Sequence, residues 1–274
     1  MQSNQNLHDS KEIADAYRLA FNDPEFLLRR ETRGIRFQLE LLKPDLIQAE
    51  AGVNNTVVVF GSARFQSLEQ AKHQHLKALQ LTEGVERTQA VKVTERDLDN
   101  AQYYEAARKF ARLVSEGCAS HPKADRLIIC TGGGPGIMEA ANRGAMEAGA
   151  PSVAMNISLP HEQMPNPYVT PELSFQFHYF ALRKMHFAMR AKALISFPGG
   201  FGTLDELFEI LTLVQTKKVE KTPVLLYGTA YWKRLVNFDW MVASGTIDAE
   251  DLACFKFVDS PEEAWAEIQK LLPC

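Results

Sequence analysis

Residues 127–139 read LIICTGGGPGIME, an apolar run followed by three consecutive glycines and then by the start of a helical pattern. A short apolar run bounded by glycine is typical of a buried strand. A strand that passes through a glycine turn into a helix is the repeating unit of a parallel α/β sheet. The stretch therefore predicts an open parallel sheet, and in such sheets ligands bind at the carboxyl ends of the strands.

The same order of strand, glycine turn and helix recurs further along the chain. Residues 193–206 read ALISFPGGFGTLDE, again an apolar run, a glycine turn and a helical pattern. Apolar runs also predict strands at 57–60, 153–157, 175–177, 224–227 and 255–258. Helical patterns occupy 97–115, 135–148, 181–191, 204–216, 231–242 and 261–272. This alternation predicts an α/β fold with a mainly parallel sheet and helices on both faces, over residues 53–274.

Residues 1–52 precede the first predicted strand and predict a helical extension that ends at Pro44. Its basic residues, Arg29, Arg30, Arg33 and Arg36, are interleaved with an apolar stripe. They fit a solvated helix face better than a phosphate site, although both readings are open. The polar segment 80–96 fits either a helix extension or a surface insertion.

Composition narrows the functional classes. The 274 residues are 46% hydrophobic and 23% charged, which is typical of a globular chain with a packed core. A net charge of −4 argues against a nucleic-acid partner. We expect no membrane span, because no segment approaches the required apolar length. The polar N-terminus lacks the apolar stretch of a secretory signal, and four scattered cysteines without a C-x-x-C pair suit a reducing compartment, so a cytoplasmic location is expected.

The two glycine turns suit an anionic ligand. Glycines let the backbone approach a phosphate, and the N–H groups and dipole of the following helix attract it. Pro135 is expected in the first turn of its helix. The alternative is that the glycines only permit a tight turn. Neither turn satisfies G-x-G-x-x-G, so a dinucleotide is disfavoured. Thr203 and Glu206 also have the spacing of a helix capping box, which is an alternative to a catalytic role.

Three segments together resemble one known family: GGGPGIME at 132–139, the pair Arg183-Lys184, and PGGFGTLDE at 198–206. They are similar to the LONELY GUY family, often labelled "lysine decarboxylase-like", and the resemblance extends over about 57–272, with the extension suggesting longer bacterial members. It implies a Rossmann-like fold and a homodimer with active sites near the subunit interface. It also implies a phosphoribohydrolase that releases the free base from AMP or a cytokinin riboside 5′-monophosphate.

The resemblance also implies roles for individual residues. Arg183 and Glu206 correspond to the catalytic pair, with Glu206 as the carboxylate near the anomeric carbon and Arg183 orienting the substrate. Glu139 is a secondary candidate for a ribose hydroxyl, and a position favoured by the helix dipole is its structural alternative. The expected substrate contacts are Gly61, Ser62, Gly133, Gly134, Glu139, Lys184, Gly199, Gly200, Gly202 and Thr203.

Other readings stay open. A non-catalytic protein that binds a nucleotide or cofactor, like the molybdenum-cofactor carrier proteins, would use the same glycine turns. A surface ion pair is the structural alternative for Arg183. His178 could contact the base or lie under the following helix. A true lysine decarboxylase is not expected, because no lysine has a recognisable Schiff-base setting. No cofactor and no metal are expected, since His161-Glu162 does not continue as H-E-x-x-H.

Overall fold

The computed structural model describes residues 15–159, 164–219 and 222–271, and a seven-stranded parallel sheet forms its centre. The strand order is β4-β3-β2-β1-β5-β6-β7, and every neighbouring pair is parallel. The strands are β1 (Asn55–Phe60), β2 (Leu127–Thr131), β3 (Ser152–Ile157), β4 (Ser174–Phe177), β5 (Ala191–Ser196), β6 (Val224–Tyr227) and β7 (Lys256–Val258). The predicted parallel sheet is confirmed.

Helices cover both faces of the sheet, as the alternating pattern predicts. They are α1 (Pro24–Leu28), α2 (Arg33–Glu50), α3 (Leu68–Leu79), α4 (Val85–Gly117), α5 (Ile137–Glu147), α6 (Phe180–Met189), α7 (Phe201–Gln215), α8 (Thr229–Leu235), α9 (Phe238–Ala243) and α10 (Pro261–Leu271). One core cluster packs α4, α5 and α10 on the sheet through residues such as Phe110 and Trp265. The other packs α6, α7 and α8 on the opposite face through Phe187, Leu207 and Trp232. Burial on both faces explains why the strands are apolar runs rather than alternating ones.

The strand order reverses direction at β1. Strands β2, β3 and β4 lie on one side of β1, whereas β5, β6 and β7 lie on the other. The connections that leave the carboxyl ends of β1 and β5 therefore diverge and leave a crevice between them, which is where ligands bind in open parallel sheets. Topology alone thus selects the crevice at the carboxyl ends of β1 and β5 as the candidate site.

The N-terminal extension differs from the prediction at Pro44, which lies inside α2 and does not end it. A proline in a helix has no N–H for the carbonyl four residues earlier, here that of Glu40. His186 of α6 takes that place, with Nε2 3.1 Å from the Glu40 carbonyl oxygen. A tertiary contact therefore satisfies the group that the proline leaves without a partner, and the helix continues.

Arg36 also has a structural role rather than a place on a solvated face. Its guanidinium donates to the Arg29 carbonyl at 2.7 Å and to the Tyr179 hydroxyl at 3.3 Å. Arg29, Arg30 and Arg33 are exposed, as the solvated-face reading expects.

Two further segments differ from expectation. The predicted helix at 231–242 is interrupted between α8 and α9, where the Asn237 side chain accepts from the Trp240 N–H at 2.9 Å and caps the second helix. The segment 80–96 is largely helical, because α4 begins at Val85 and its N-terminal part packs on α3.

Candidate active site

A cleft of about 720 Å³ opens at the carboxyl ends of β1 and β5. Its walls come from the turn after β1, the turn after β5 with the first residues of α7, and side chains of α4, α5, α6 and α8. The residues that line it are Phe60, Gly61, Ser62, Ala63, Arg64, Phe65, Asn100, Met138, Arg183, Gly199, Gly200, Phe201, Gly202, Thr203, Leu204, Glu206, Tyr231 and Leu235. Eight of the twelve residues singled out in the sequence are therefore brought together in one cleft: Gly61, Ser62, Arg183, Gly199, Gly200, Gly202, Thr203 and Glu206.

The turn after β5 is tightly packed on one side and open on the other. A Cβ at Gly199 would lie 2.2 Å from Thr203 Oγ1 and 3.0 Å from the Ser62 nitrogen, so only glycine fits there. The carbonyl of Gly199 accepts from the Tyr231 hydroxyl at 2.7 Å. A Cβ at Gly200 or Gly202 would meet no protein atom within 4 Å. The backbone at Gly200 and Gly202 is therefore unobstructed by other protein atoms at the N-terminus of α7.

Helix α7 begins at Phe201, with Gly200 as its N-cap. Thr203 is therefore inside the first turn, and the capping-box interpretation of Thr203 and Glu206 is wrong, since the cap carries no side-chain hydrogen bond. The N–H groups of a first helical turn have no partner within the helix. Together with the helix dipole, they form a ready binding site for an anion.

Arg183 and Glu206 form an ion pair in this cleft. Arg183 Nη1 lies 2.9 Å from Glu206 Oε1, and its Nε donates to the Met155 carbonyl at 2.7 Å. Arg183 is only 8% exposed, so the interpretation as a surface ion pair is wrong. A Cβ at Gly132 would lie 2.5 Å from Arg183 Nη2, which shows how closely the backbone approaches the guanidinium. The arginine is held in one position by contacts from three sides.

The environment of Glu206 shifts its proton affinity. Burial disfavours the carboxylate and raises the pKa, Arg183 and Lys184 lower it, and Asp205 and Glu209 raise it. Burial prevails, and the pKa of Glu206 rises to about 7. A carboxyl group with a pKa near neutrality can take up and release a proton at physiological pH, which is a property of acid–base catalysts.

The first glycine turn, after β2, has a different role from the second. The Gly133 N–H donates to Thr131 Oγ1 at 3.0 Å, and the side chain of Asn166 donates to the carbonyls of Gly133 and Gly134 at 3.1 and 3.0 Å. Neither glycine lines the cleft. This segment contributes Met138 to the cleft, a residue that was not among the predicted substrate contacts.

Helix α5 also begins later than predicted. Its first residue is Ile137, and Gly136 before it has a φ of +73°, so Pro135 lies outside the helix and not in its first turn. The Ile137 N–H donates to the Ser62 carbonyl at 3.0 Å. That bond ties the start of α5 to the turn after β1 rather than leaving the N–H available to an anion.

Glu139 lies in a smaller polar chamber of about 390 Å³ next to the cleft, with Ala63, Arg64 and Phe65 shared between the two. It accepts from the Tyr104 hydroxyl at 2.8 Å. Arg64, two residues after Ser62, is an exposed cation at the boundary and was not among the predicted site residues.

Lys184 and His178 lie outside the cleft. The Lys184 ammonium pairs with Asp205 at 2.7 Å and with Glu209 at 3.0 Å. His178 is exposed, and its backbone N–H donates to Glu40 at 3.0 Å.

Two absences hold for the described part of the chain. Within residues 15–159, 164–219 and 222–271, no three His, Cys, Asp or Glu side chains are grouped so that they could hold a metal ion. His161 and Glu162 lie outside these residues. Over the same ranges, no helix combines the length and apolar character needed to cross a membrane.

Comparison with known proteins gives a family and several relatives. The profile of the family described as "Possible lysine decarboxylase" matches residues 138–268. A probable cytokinin riboside 5′-monophosphate phosphoribohydrolase, LOG4 of Oryza sativa subsp. japonica, is 38% identical over 82 residues, which cover 30% of this chain and 36% of that protein. The cytokinin riboside 5′-monophosphate phosphoribohydrolase LOG3 of Arabidopsis thaliana is 31% identical over 93 residues, which cover 34% of this chain and 43% of that protein. The alignments thus span less than half of these relatives.

Solved structures with a similar chain path have lower identity. The molybdenum cofactor binding protein from Rippkaea orientalis is 17% identical, with a TM-score of 0.46 over 79% of this chain and 96% of that chain. The molybdenum cofactor carrier protein from Chlamydomonas reinhardtii is also 17% identical, with a TM-score of 0.45 over 80% of this chain and 99% of that chain. The profile match includes Arg183 and the whole PGGFGTLDE segment, and the curated relatives carry LOG names. Over residues 138–268, this chain is therefore similar to the LONELY GUY (LOG) family.

Proposed function

We propose that this protein hydrolyses the N-glycosidic bond of a nucleoside 5′-monophosphate to give the free base and ribose 5-phosphate. The observation that carries the proposal is the buried pair of Arg183 and Glu206 beside the open N-terminus of α7, in the crevice between β1 and β5. The names of the curated relatives, which are cytokinin riboside 5′-monophosphate phosphoribohydrolases, support the same reaction.

The substrate phosphate would bind at the first turn of α7. Gly200 and Gly202 leave their backbone open, and Thr203 follows in the same turn. Glu206 is one helical turn further on, so a ligand whose phosphate lies on this turn has its ribose close to the carboxyl group. A nucleoside without the phosphate would lose the anion contact, and we expect it to be a poor substrate.

The chemistry assigned to Glu206 follows from the reaction. As the C1′–N bond breaks, positive charge develops on the ribose, and a nearby carboxylate stabilises it. The base leaves with the electron pair of the broken bond and takes up a proton from solvent. Water forms the new C1′–O bond, and Glu206 accepts the proton that this water loses and then returns it to solvent. With a pKa of about 7, Glu206 is the carboxylate in a large fraction of molecules at neutral pH.

Arg183 would orient both Glu206 and the substrate. Its guanidinium is planar and permanently charged, and its Nε and Nη1 are held by Met155 and Glu206. The remaining donors can reach phosphate or ribose oxygens. Lys184 would contribute mainly through its charge, because its ammonium is engaged by Asp205 and Glu209.

The state of Lys184 also bears on decarboxylation. Burial by itself disfavours the charged ammonium, but hydrogen bonds to Asp205 and Glu209 outweigh that effect and raise the pKa of Lys184. A Schiff-base lysine needs a lowered pKa to act as a nucleophile. We therefore favour phosphoribohydrolase activity over the decarboxylation that the family description suggests.

We propose AMP and a cytokinin riboside 5′-monophosphate as candidate substrates, and a homodimer as the assembly. The dimer finds support in exposed apolar side chains of α6 and α7: Phe201, which lines the cleft, is 93% exposed, Phe180 52% and Met185 47%. Exposed apolar groups of this size are typical of a surface that a partner covers.

The test is release of free base from a panel of nucleoside 5′-monophosphates, followed by chromatography. Wild type is compared with Glu206→Gln, which keeps the size of the side chain, and with Asp205→Asn as a matched control on the adjacent residue. The assay runs at about pH 8, one unit above the pKa of Glu206, so that Glu206 is ionised in wild type and control alike. Release by wild type and control, but not by Glu206→Gln, is the expected result.

Two other outcomes would reject the proposal. Equal release by Glu206→Gln would remove the catalytic role of the carboxyl group. Binding of nucleotides without any release would favour a non-catalytic binding protein.

A further inference from the structure

Helix α2 of the N-terminal extension contacts the start of α6, the helix that carries Arg183. The carboxylate of Glu40 accepts from two consecutive backbone N–H groups: Oε1 from His178 at 3.0 Å and Oε2 from Tyr179 at 3.2 Å. Tyr179 is the N-cap of α6 and has no side-chain cap of its own. In a capping box, a carboxylate of the same helix binds the N-cap N–H. Here a carboxylate from another helix does so.

Further contacts fix α2 along the whole length of α6. At the start, the rings of Phe37 and Tyr179 pack edge to face with centroids 4.2 Å apart. In the middle, the Glu40 carbonyl that Pro44 cannot satisfy lies 3.1 Å from His186 Nε2. At the end, Arg190 Nη1 pairs with Asp45 Oδ1 at 2.6 Å.

A short path leads from Glu40 to Arg183. Glu40 binds the Tyr179 N–H, and the Tyr179 carbonyl accepts from the Arg183 N–H at 3.2 Å. The guanidinium at the other end of the side chain lies in a narrow slot, where the Met155 carbonyl and the backbone at Gly132 leave little room. Movement of the start of α6 shifts the Arg183 backbone, and we expect it to change the distance between the guanidinium and Glu206.

We propose that Glu40 is a positioning residue for Arg183: by clamping the start of α6, the N-terminal extension sets the distance between the guanidinium and Glu206. The catalytic consequence rests on the proposed function, whereas the geometric link between Glu40 and the pair does not. The extension is thus a part of the active-site framework rather than an appendage.

The first experiment compares Glu40→Ala, Glu40→Gln and Glu50→Ala. Glu50 is an exposed glutamate of the same helix, so its replacement is a matched control. Misplacement of a catalytic group by about 1 Å can cost on the order of 100-fold in rate. We expect kcat to fall about 10- to 100-fold in Glu40→Ala, and less in Glu40→Gln, which keeps one acceptor. KM should change less than kcat, because the first turn of α7 supplies the main contacts proposed for the phosphate. An equal fall in Glu50→Ala would overturn the proposal.

A second measurement does not depend on turnover. The Glu206 carboxyl is titrated by ¹³C NMR in wild type, Glu40→Ala, Glu40→Gln and Glu50→Ala, and the missing signal in Glu206→Gln identifies it. The charged groups that act on Glu206 are Arg183 and Lys184, which lower its pKa, and Asp205 and Glu209, which raise it. If Arg183 withdraws in Glu40→Ala, the pKa of Glu206 should rise above that of wild type and Glu50→Ala.

The outcomes separate the two proposals. An unchanged Glu206 titration in folded Glu40→Ala or Glu40→Gln overturns the positioning role, whether or not the wild type cleaves nucleotides. A shifted titration in a protein that releases no base rejects the proposed function and keeps the positioning role. If Glu40→Ala does not fold, the Glu206 titration is compared between wild type and Glu40→Gln, which preserves the size of the side chain.

Discussion

The raised pKa of Glu206 predicts that replacing this residue changes how stability depends on pH. The pKa rises from 4.5 to about 7 on folding, mainly through burial, and the side chain is only 14% exposed. Between these two pH values the folded protein holds a proton that the unfolded chain has released. Stability from Glu206 is therefore fully present below about pH 4.5 and is lost as the pH rises through about 7. At 1.36 kcal/mol per unit, the loss is about 3 kcal/mol.

Urea unfolding of wild type and Glu206→Gln across this pH range measures the effect, with the fluorescence of the buried Trp232 and Trp265 as the probe. The wild-type free energy of unfolding, relative to that of the variant, should fall by about 3 kcal/mol. With a slope of about 3 kcal/mol per molar urea, the relative midpoint moves by about 1 M. A difference that does not vary with pH would refute the reasoning. A difference that grows with pH would mean that Arg183 keeps Glu206 charged in the folded protein.

Three more predictions concern activity and assembly. Base release should rise with pH along a limb with an apparent pKa of about 7, measured as initial rates between about pH 5 and 9, because Glu206 acts as the carboxylate. Gly199→Ala should lose about 1–3 kcal/mol in urea unfolding, because its Cβ would collide with Thr203, whereas Gly200→Ala should keep wild-type stability but raise KM, because its Cβ enters the proposed phosphate site. Equal stability of the two alanine variants would contradict this assignment. Phe201→Glu should shift a dimer toward monomer in sedimentation, and an unchanged mass would exclude this surface from the interface.

The local patterns of the chain predicted most of the secondary structure, and their failures have identifiable tertiary causes. Pro44 does not end α2, because His186, distant in sequence, satisfies the Glu40 carbonyl. Both glycine turns were expected to suit an anion, yet in the turn after β2 the Gly133 N–H and the carbonyls of Gly133 and Gly134 bond to Thr131 and Asn166. Met138 and Arg64 were not predicted to line the cleft, because only the folded arrangement brings α5 and the turn after β1 to its wall.

Most strands and helices, the parallel sheet and the two residues proposed for catalysis could be predicted from the sequence, because hydrophobic period, glycine turns and motif similarity are local properties of the chain. Which of these residues share one cleft depends on the fold. In the fold Arg183 is buried and not at the surface, and burial raises the pKa of Glu206 to about 7. The fold also connects the extension to α6 through Glu40. Burial and charge pairing depend on neighbours far apart in the chain, so only the folded arrangement could set them.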